Sequence, residues 1–202
     1  MNLRFFSLCA LTLFSVLCAS AQTTEFQKAI AKYKNATTVT ATAVKTTHRT
    51  SVAKDDVVSG TLIIQRPNKM NITVNQGKDQ LDMTGADFTM TMRGKSHKTS
   101  SKKNPLFATF QTVLETIITG GATPANLNDR QDVKIEKQQG NIVLTILPAA
   151  DSSSAQKKAS KRQMFTSFVI TINTQTSEIR SLRMNEKGQN YTNYDFSNYS
   201  FQ

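Results

Sequence analysis

Residues able to do acid–base or metal chemistry are few in this chain. Its two histidines are His48, in the stretch Thr-Thr-His-Arg, and His97, in Gly-Lys-Ser-His-Lys. Both stretches are polar, and no carboxylate or cysteine stands beside either imidazole. We therefore predict that both side chains are exposed to solvent and that they form no metal site, since a bound metal needs several ligands that converge.

Familiar catalytic sequence patterns are also incomplete or absent. Gly94-Lys95-Ser96 imitates the end of a phosphate-binding loop, but Thr89 stands where the first glycine of such a loop belongs. Asp55 and Asp56 are adjacent, so on a strand their carboxylates face opposite sides of the sheet. No Gly-x-Ser-x-Gly elbow occurs. We predict a protein that is not an enzyme, with no catalytic residue, metal or cofactor.

The first 21 residues predict export across a membrane. Arg4 precedes an apolar run from Phe5 to Cys18, and Ala19-Ser20-Ala21 fits the small-x-small rule for signal cleavage. The run is shorter than the roughly 20 apolar residues that a membrane-spanning helix needs. The expected domain organisation is a signal peptide over residues 1–21 and one domain over residues 22–202, located in the periplasm.

The two cysteines, Cys9 and Cys18, both lie inside this signal. Cleavage after Ala21 would leave a chain without cysteine, which excludes disulfides and a cysteine nucleophile. An alternative is that Cys18 carries a lipid anchor. Leu17 stands where a lipid-attachment signal has a small residue, which disfavours this alternative.

The chain is strongly basic, with a formal net charge of +11. A charge of this sign attracts nucleic acid, acidic proteins or anionic lipid surfaces. The basic residues are spread along the sequence, and the export signal argues against nucleic acid. An anionic lipid surface and an acidic protein partner both stay open.

Hydrophobic periodicity predicts two helices and a series of short strands. The helices are Thr23–Asn35 and Pro105–Thr119, the second capped by Asn104. Ala149–Arg162 is predicted to be a mobile loop. Short turns between strands favour a meandering antiparallel sheet, which must curl at this length, so that helices can cover its concave face. The predicted strands are Thr37–Val44, Val57–Gln65, Lys69–Val74, Gln80–Met83, Phe88–Arg93, Asp132–Lys137, Asn141–Leu147, Phe165–Asn173, Glu178–Asn185 and Tyr191–Phe196.

Methionine on strands is the chemical feature that stands out. Met90 and Met92 share one strand face with Phe88, and Met164 and Met184 lie on other strands. Methionine is flexible and polarizable, so a surface rich in it accepts apolar ligands of differing shape, although it also fills gaps in ordinary cores. We predict an apolar ligand site between the sheet and the second helix, lined by Leu62, Ile64, Met90, Met92, Phe110 and Leu114.

The order of motifs resembles that of the periplasmic outer-membrane lipoprotein carriers, the LolA family. The stretch from Gly60 to Met70 follows the pattern Gly-x-Leu-x-x-x-Arg-Pro-Asn-x-hydrophobic of that family. Met83 to Phe88 loosely matches its Asp-Gly hairpin, and Leu182 to Thr192 matches its final meander with Gly188-Gln189 in the last turn. The resemblance covers nearly all of the expected mature chain. The chain departs from the family in having no tryptophan.

The resemblance implies a partly open antiparallel β-barrel, mainly β with covering helices (α+β), that encloses an apolar cavity for the acyl chains of a lipoprotein. It implies a monomer that takes its cargo from an inner-membrane lipoprotein-releasing transporter and delivers it to an outer-membrane acceptor. It also implies that Arg66 holds a helical lid closed by bonding to the lid backbone. The donor geometry of arginine favours the same contact, whereas the alternative is a solvated arginine at a turn.

One other class of function stays open. Fold does not determine function, so the chain could be a periplasmic lipid-binding, protein-interaction or sensor domain that reuses the LolA-like fold. A hydrolase is disfavoured, since the sequence shows no nucleophile paired with a base.

Overall fold

A computed structural model describes residues 25–121, 127–148 and 164–202. The expected signal peptide, its cleavage site and the predicted loop Ala149–Arg162 lie outside these ranges. Among the helices of the described ranges, none combines the length and the apolar character that crossing a membrane requires.

Within the described ranges, the chain forms one antiparallel sheet of 11 strands. Its order is β6-β5-β4-β3-β2-β1-β11-β10-β9-β8-β7. The chain therefore runs outward from β1 to one edge, and it returns from the other edge to pair β11 with β1. The strands are β1 (Thr38–His48), β2 (Asp56–Gln65), β3 (Lys69–Val74), β4 (Asp79–Thr84), β5 (Asp87–Met92), β6 (Lys95–Ser100), β7 (Val133–Gln138), β8 (Asn141–Ile146), β9 (Phe165–Asn173), β10 (Ile179–Glu186) and β11 (Tyr191–Phe201).

In the same described residues, two longer helical segments accompany the sheet. Helix α1 covers residues 25–30 and continues as a 3-10 turn, Ala31–Asn35. Helix α2 is Pro105–Ile118, and Asn104 caps it by accepting a hydrogen bond from the backbone N–H of Leu106 at 3.1 Å. Short 3-10 turns occur at Leu127–Asp129 and Lys187–Gln189.

The core lies between one face of the sheet and these helices. Burial alternates along β1, β3, β4, β8 and β9, as expected for strands with one face covered. Phe26 and Ile30 of α1 and Val113 and Ile117 of α2 are buried in the same cluster as the inward side chains of the sheet. The helices therefore cover the inner face, which confirms the predicted mainly-β architecture.

The sheet remains open, because no ladder joins its edge strands β6 and β7. Helix α2 lies between these two strands in the chain. Strand β6 was not predicted: Lys95–Ser100 is polar throughout, so it has no apolar alternation to reveal it. It forms nevertheless because its backbone pairs with β5, which places His97 opposite Met90. A polar edge strand also discourages pairing with other molecules.

An ion pair is buried within the sheet interior. Lys45 of β1 and Asp79 of β4 are each 3% exposed, and the distance from Nζ to Oδ2 is 2.5 Å. The Asp79 carboxylate also accepts a hydrogen bond from the backbone N–H of Arg93 at 2.9 Å. Burial alone would raise the pKa of Asp79, but the hydrogen bonds from Lys45 and Arg93 outweigh it and hold that pKa below its usual range.

Candidate functional site

An apolar cleft of about 430 Å³ opens where edge strand β6 and the start of α2 meet the start of β9. Its walls come from elements far apart in the sequence, so it exists only once the sheet has curled. The lining residues are Leu81, Phe88, Met90, His97, Lys98, Thr99, Lys103, Asn104, Leu106, Phe107, Met164, Phe165 and Met184.

A cluster of five phenylalanines supports one side of the cleft. Phe107 of α2 lies 4.8 Å from Phe88 of β5 and 5.2 Å from Phe168 of β9, measured between ring centroids. Phe110 contacts Phe88 and Phe168 at 5.9 and 4.7 Å, and Phe165 packs on Phe168 at 5.5 Å. Such tilted and edge-on contacts are favourable, so the cluster anchors the start of α2 to both halves of the sheet.

Three methionines give the cleft a soft surface. Met90 of β5 and Met184 of β10 lie in its floor, 7% and 3% exposed. Met164, directly before β9, is 40% exposed. Because a thioether chain adapts its shape at little cost, these side chains can follow an apolar ligand without a fixed geometry.

The six residues predicted to line the ligand site have different positions in the structure. Met90 lines the cleft. Phe110 lies behind it in the phenylalanine cluster, and Met92 is half-buried further along β5. The remaining three, Leu62, Ile64 and Leu114, are buried in the core and are not among the lining residues. Ligand binding by these six residues stays a prediction.

The cleft residues that the prediction omitted include Leu81, Phe107, Phe165, Met164 and Met184. The two methionines could have been identified from the sequence, since both belong to the set of methionines on or beside strands that suggested an apolar site. The others had no such signal, because an inward apolar side chain looks the same in a closed core and in an open cleft.

The mouth of the cleft is polar. His97, Lys98 and Thr99 come from β6, and Lys103 and Asn104 come from the turn that leads into α2. His97, Lys98 and Lys103 are exposed. An apolar floor with a polar mouth suits a ligand that is greasy at one end and hydrated at the other.

Arg66 lies at the end of β2 and reaches the end of the helical segment 25–35. Its Nη1 donates a hydrogen bond to the backbone oxygen of Lys34 at 2.5 Å, and its own backbone N–H bonds to the oxygen of Thr37 at 3.1 Å. Helix ends leave carbonyls without intrahelical partners, and the guanidinium satisfies one of them here. The contact ties the sheet to the N-terminal helix, while the action of Arg66 as a latch stays a prediction.

His48 differs from its predicted exposed position. Its Nδ1 lies 2.8 Å from Oδ1 of Asp55, and its ring stacks on Tyr191 with 4.9 Å between centroids. The side chain is half-buried and not exposed as predicted, because the loop between β1 and β2 folds back and brings Asp55 to the imidazole, a pairing in space that the sequence had left open. Within the described ranges, no group of three or more His, Cys, Asp or Glu residues is placed to hold a metal.

The structure is thus an open antiparallel sheet that is covered by helices and has an apolar cleft at one edge. No protein-family model matches the chain, and no curated protein is similar to it at a significant level. Three solved structures illustrate what the chain is similar to.

A putative outer membrane lipoprotein-sorting protein domain from Vibrio parahaemolyticus is 10% identical, with 91% of this chain and 93% of that chain covered and a TM-score of 0.42. A LolA superfamily protein from Nitrosomonas europaea is 10% identical, with coverages of 89% and 93% and a TM-score of 0.37. The Mycobacterium tuberculosis lipoprotein LppX is 12% identical, with coverages of 89% and 95% and a TM-score of 0.36. One of these three structures is thus named for the LolA superfamily, the family that the sequence resembles.

Proposed function

We propose that this protein binds the acyl chains of a lipid or lipoprotein in the cleft beneath β6. The observation that carries the proposal is a cleft of about 430 Å³ with a phenylalanine and methionine floor that reaches solvent. Burying an acyl chain there removes methylene groups from water, at a gain of about 0.8 kcal/mol each. A chain of ordinary length therefore has ample driving force to leave water for this cleft.

The cellular role that we propose is a periplasmic carrier that shuttles lipoproteins towards the outer membrane. The predicted export signal supports the location, and the LolA-like motif order supports the role. Transfer from an inner-membrane releasing transporter to an outer-membrane acceptor, by a monomer without catalytic activity, belongs to the same proposal. The covering helices allow such a carrier to shield an apolar face that would otherwise associate with other proteins.

Met164→Glu is expected to weaken the binding of a fluorescent acyl peptide roughly tenfold, since a charge placed against the ligand must be desolvated. The side chain is 40% exposed, so the folded protein tolerates the carboxylate. Leu147→Glu is the matched control, because Leu147 is 42% exposed and does not line the cleft. Fluorescence titration measures both affinities, and circular dichroism checks the sheet.

Equal affinity in wild type and Met164→Glu would place the acyl chain elsewhere. No binding by wild type, together with no lipid in native mass spectra of protein from its own periplasm, would favour the interaction or sensor domain instead.

Arg66→Leu is expected to speed the transfer of a bound acyl peptide to detergent micelles about fivefold, the effect of roughly 1 kcal/mol at the upper end for an exposed charged hydrogen bond. The reason is the bond from Nη1 to the Lys34 oxygen, which favours the docked helix. Stopped-flow fluorescence gives the rate. Arg180→Leu, which removes another exposed guanidinium from β10, serves as control. Equal rates and affinities in wild type and Arg66→Leu would show that Arg66 is not a latch.

A further inference from the structure

Positive charge is concentrated along strand β6, from the turn before it to the turn that leads into α2. Between Asp87 and Glu115 the chain has no acidic residue, whereas it has five lysine or arginine residues and one histidine there. All six side chains are exposed, and we call them the basic edge: Arg93, Lys95, His97, Lys98, Lys102 and Lys103.

Most of this charge has no counter-charge in contact with it. Within the described ranges, none of the four lysines of the basic edge forms an ion pair. The Arg93 Nη2 atom lies 4.0 Å from Oδ2 of Asp56, but these side chains are 86% and 53% exposed, so water screens the pair. Asp87 lies at the other end, on β5 opposite Ser100. Two carboxylates near five cations leave a surplus of positive charge that faces solvent.

The charges project from both sides of an edge and not from one face of the sheet. Pairing with β5 places Lys95 opposite Met92, on the inner side, and Lys98 opposite Thr89, on the outer side. In the part of the chain that the structure describes, no strand pairs with the free side of β6. Lysine has a long flexible stem, so both rows can turn towards one surface in front of the edge. The arrangement therefore fits an extended anionic surface that is wider than a single strand.

The neighbouring cleft favours a lipid bilayer over an acidic protein as that surface. Lys98 and Lys103 belong to the basic edge and also line the mouth of the cleft, so a surface that meets the edge meets the mouth as well. Met164, which is 40% exposed in the same cleft, adds an apolar side chain there. A bilayer with anionic lipids offers phosphates to the lysines and an apolar interior to the cleft, whereas acidic side chains offer only the charge.

We propose that the basic edge docks this protein on an anionic lipid bilayer, with the mouth of the cleft towards the membrane. Each lysine or arginine near such a surface raises the affinity by a factor of roughly five. The attraction reaches about 10 Å at 0.1 M salt, so the docking is reversible and depends on salt. Docking does not require a ligand in the cleft. Only its consequence, the passage of an acyl chain between bilayer and cleft without crossing water, rests on the proposed acyl binding.

The test is sedimentation of the protein with vesicles made of phosphatidylglycerol and phosphatidylcholine in equal parts, or of phosphatidylcholine alone. At about 0.1 M salt we expect roughly a hundredfold tighter binding to the anionic vesicles. Raising the salt to about 1 M should remove most of this preference, because the Debye length falls to about 3 Å.

Arg93→Gln/Lys95→Gln/Lys102→Gln is expected to weaken the binding to anionic vesicles at least tenfold, since three cations of the basic edge are lost. None of these three residues lines the cleft. The variant should therefore bind a fluorescent acyl peptide as the wild type does. Circular dichroism checks that the sheet is intact.

The matched control is Lys28→Gln/Lys34→Gln/Arg180→Gln, which removes the same number of lysine and arginine charges from exposed positions on the helical segment 25–35 and on β10. It separates a local contact from the effect of lower net charge. We expect a loss of less than about threefold, since charges more than a Debye length from the bilayer are screened.

Equal binding to both kinds of vesicle, or equal losses in the two triple variants, would overturn docking through the basic edge. Binding of polyglutamate in preference to anionic vesicles, if lost only in the variant of the basic edge, would assign this edge to an acidic protein and overturn docking on a bilayer. Absence of acyl peptide binding by the wild type would instead overturn the proposed function. The vesicle assay does not depend on that result, so the two failures are distinguishable.

Discussion

Lys45→Met is expected to lower the free energy of unfolding by about 3–5 kcal/mol, the usual effect of leaving one member of a buried ion pair without its partner. Lys45 and Asp79 are each 3% exposed and their charged atoms are 2.5 Å apart. Without the ammonium, Asp79 must either stay charged in an apolar setting or take up a proton. Urea denaturation monitored by circular dichroism measures the change.

Two controls test this explanation. Lys134→Met removes one member of an exposed pair, in which Lys134 and Glu136 are 66% and 38% exposed, and it should cost less than about 1 kcal/mol. Lys45→Met/Asp79→Leu removes both buried charges and should recover much of the lost stability, since apolar residues can replace a buried pair. A double variant as unstable as the single one would show that packing, and not the unpaired charge, dominates.

The Lys45–Asp79 pair also makes the free energy of unfolding depend on pH in the acidic range. The pKa of Asp79 is held below its usual value near 3.8, so its contribution is complete above that value and is lost as pH falls through the lower folded pKa. Asp132, whose pKa is also lowered, adds a second contribution of the same sign through Arg130 and Thr109. Of these two contributions, Lys45→Met/Asp79→Leu retains only that of Asp132. The free energy of unfolding of this double variant should therefore depend less steeply on pH below about 4 than that of the wild type.

Gly60→Ala is expected to destabilise the protein by about 3 kcal/mol or more, because the added methyl group cannot fit between two strands. A Cβ on Gly60 would lie 1.9 Å from the backbone oxygen of Thr73 and 2.6 Å from the Cα of Val74. Both obstacles are backbone atoms of β3, so the β2–β3 ladder must separate locally. Glycine in a strand interior commonly marks such a close approach.

Gly140→Ala is the matched control for this substitution. Gly140 has φ +78° and an added Cβ would meet nothing within 4 Å, so only the cost of the left-handed backbone applies, about 1–2 kcal/mol. Thermal and urea unfolding of both variants give the comparison. Equal losses would mean that β3 moves aside readily and that the close approach contributes little.

Local pattern was sufficient for most of the fold. Lys69–Val74 and Phe165–Asn173 occur as strands with the predicted bounds, and α2 begins at Pro105 behind its Asn104 cap as predicted. Period-two alternation and helix caps are properties of neighbouring residues, so a single sequence displays them. Strand β6 was not predicted, because a polar edge strand is ordered by its pairing with a neighbouring strand and not by a pattern of its own side chains.

The sequence by itself therefore determined the helices, most strands, the methionine-rich face of β5 and the absence of familiar catalytic patterns. Only the tertiary structure decided which inward residues meet open space: Met164 and Met184 line the cleft, whereas Leu62 and Leu114 are closed in the core. Alternation assigns a side chain to a face of the sheet, but the curl of the sheet and the position of α2 decide whether that face is filled. The same holds for the Lys45–Asp79 pair, since its partners, 34 residues apart, come together only when β1 and β4 fold over a common interior.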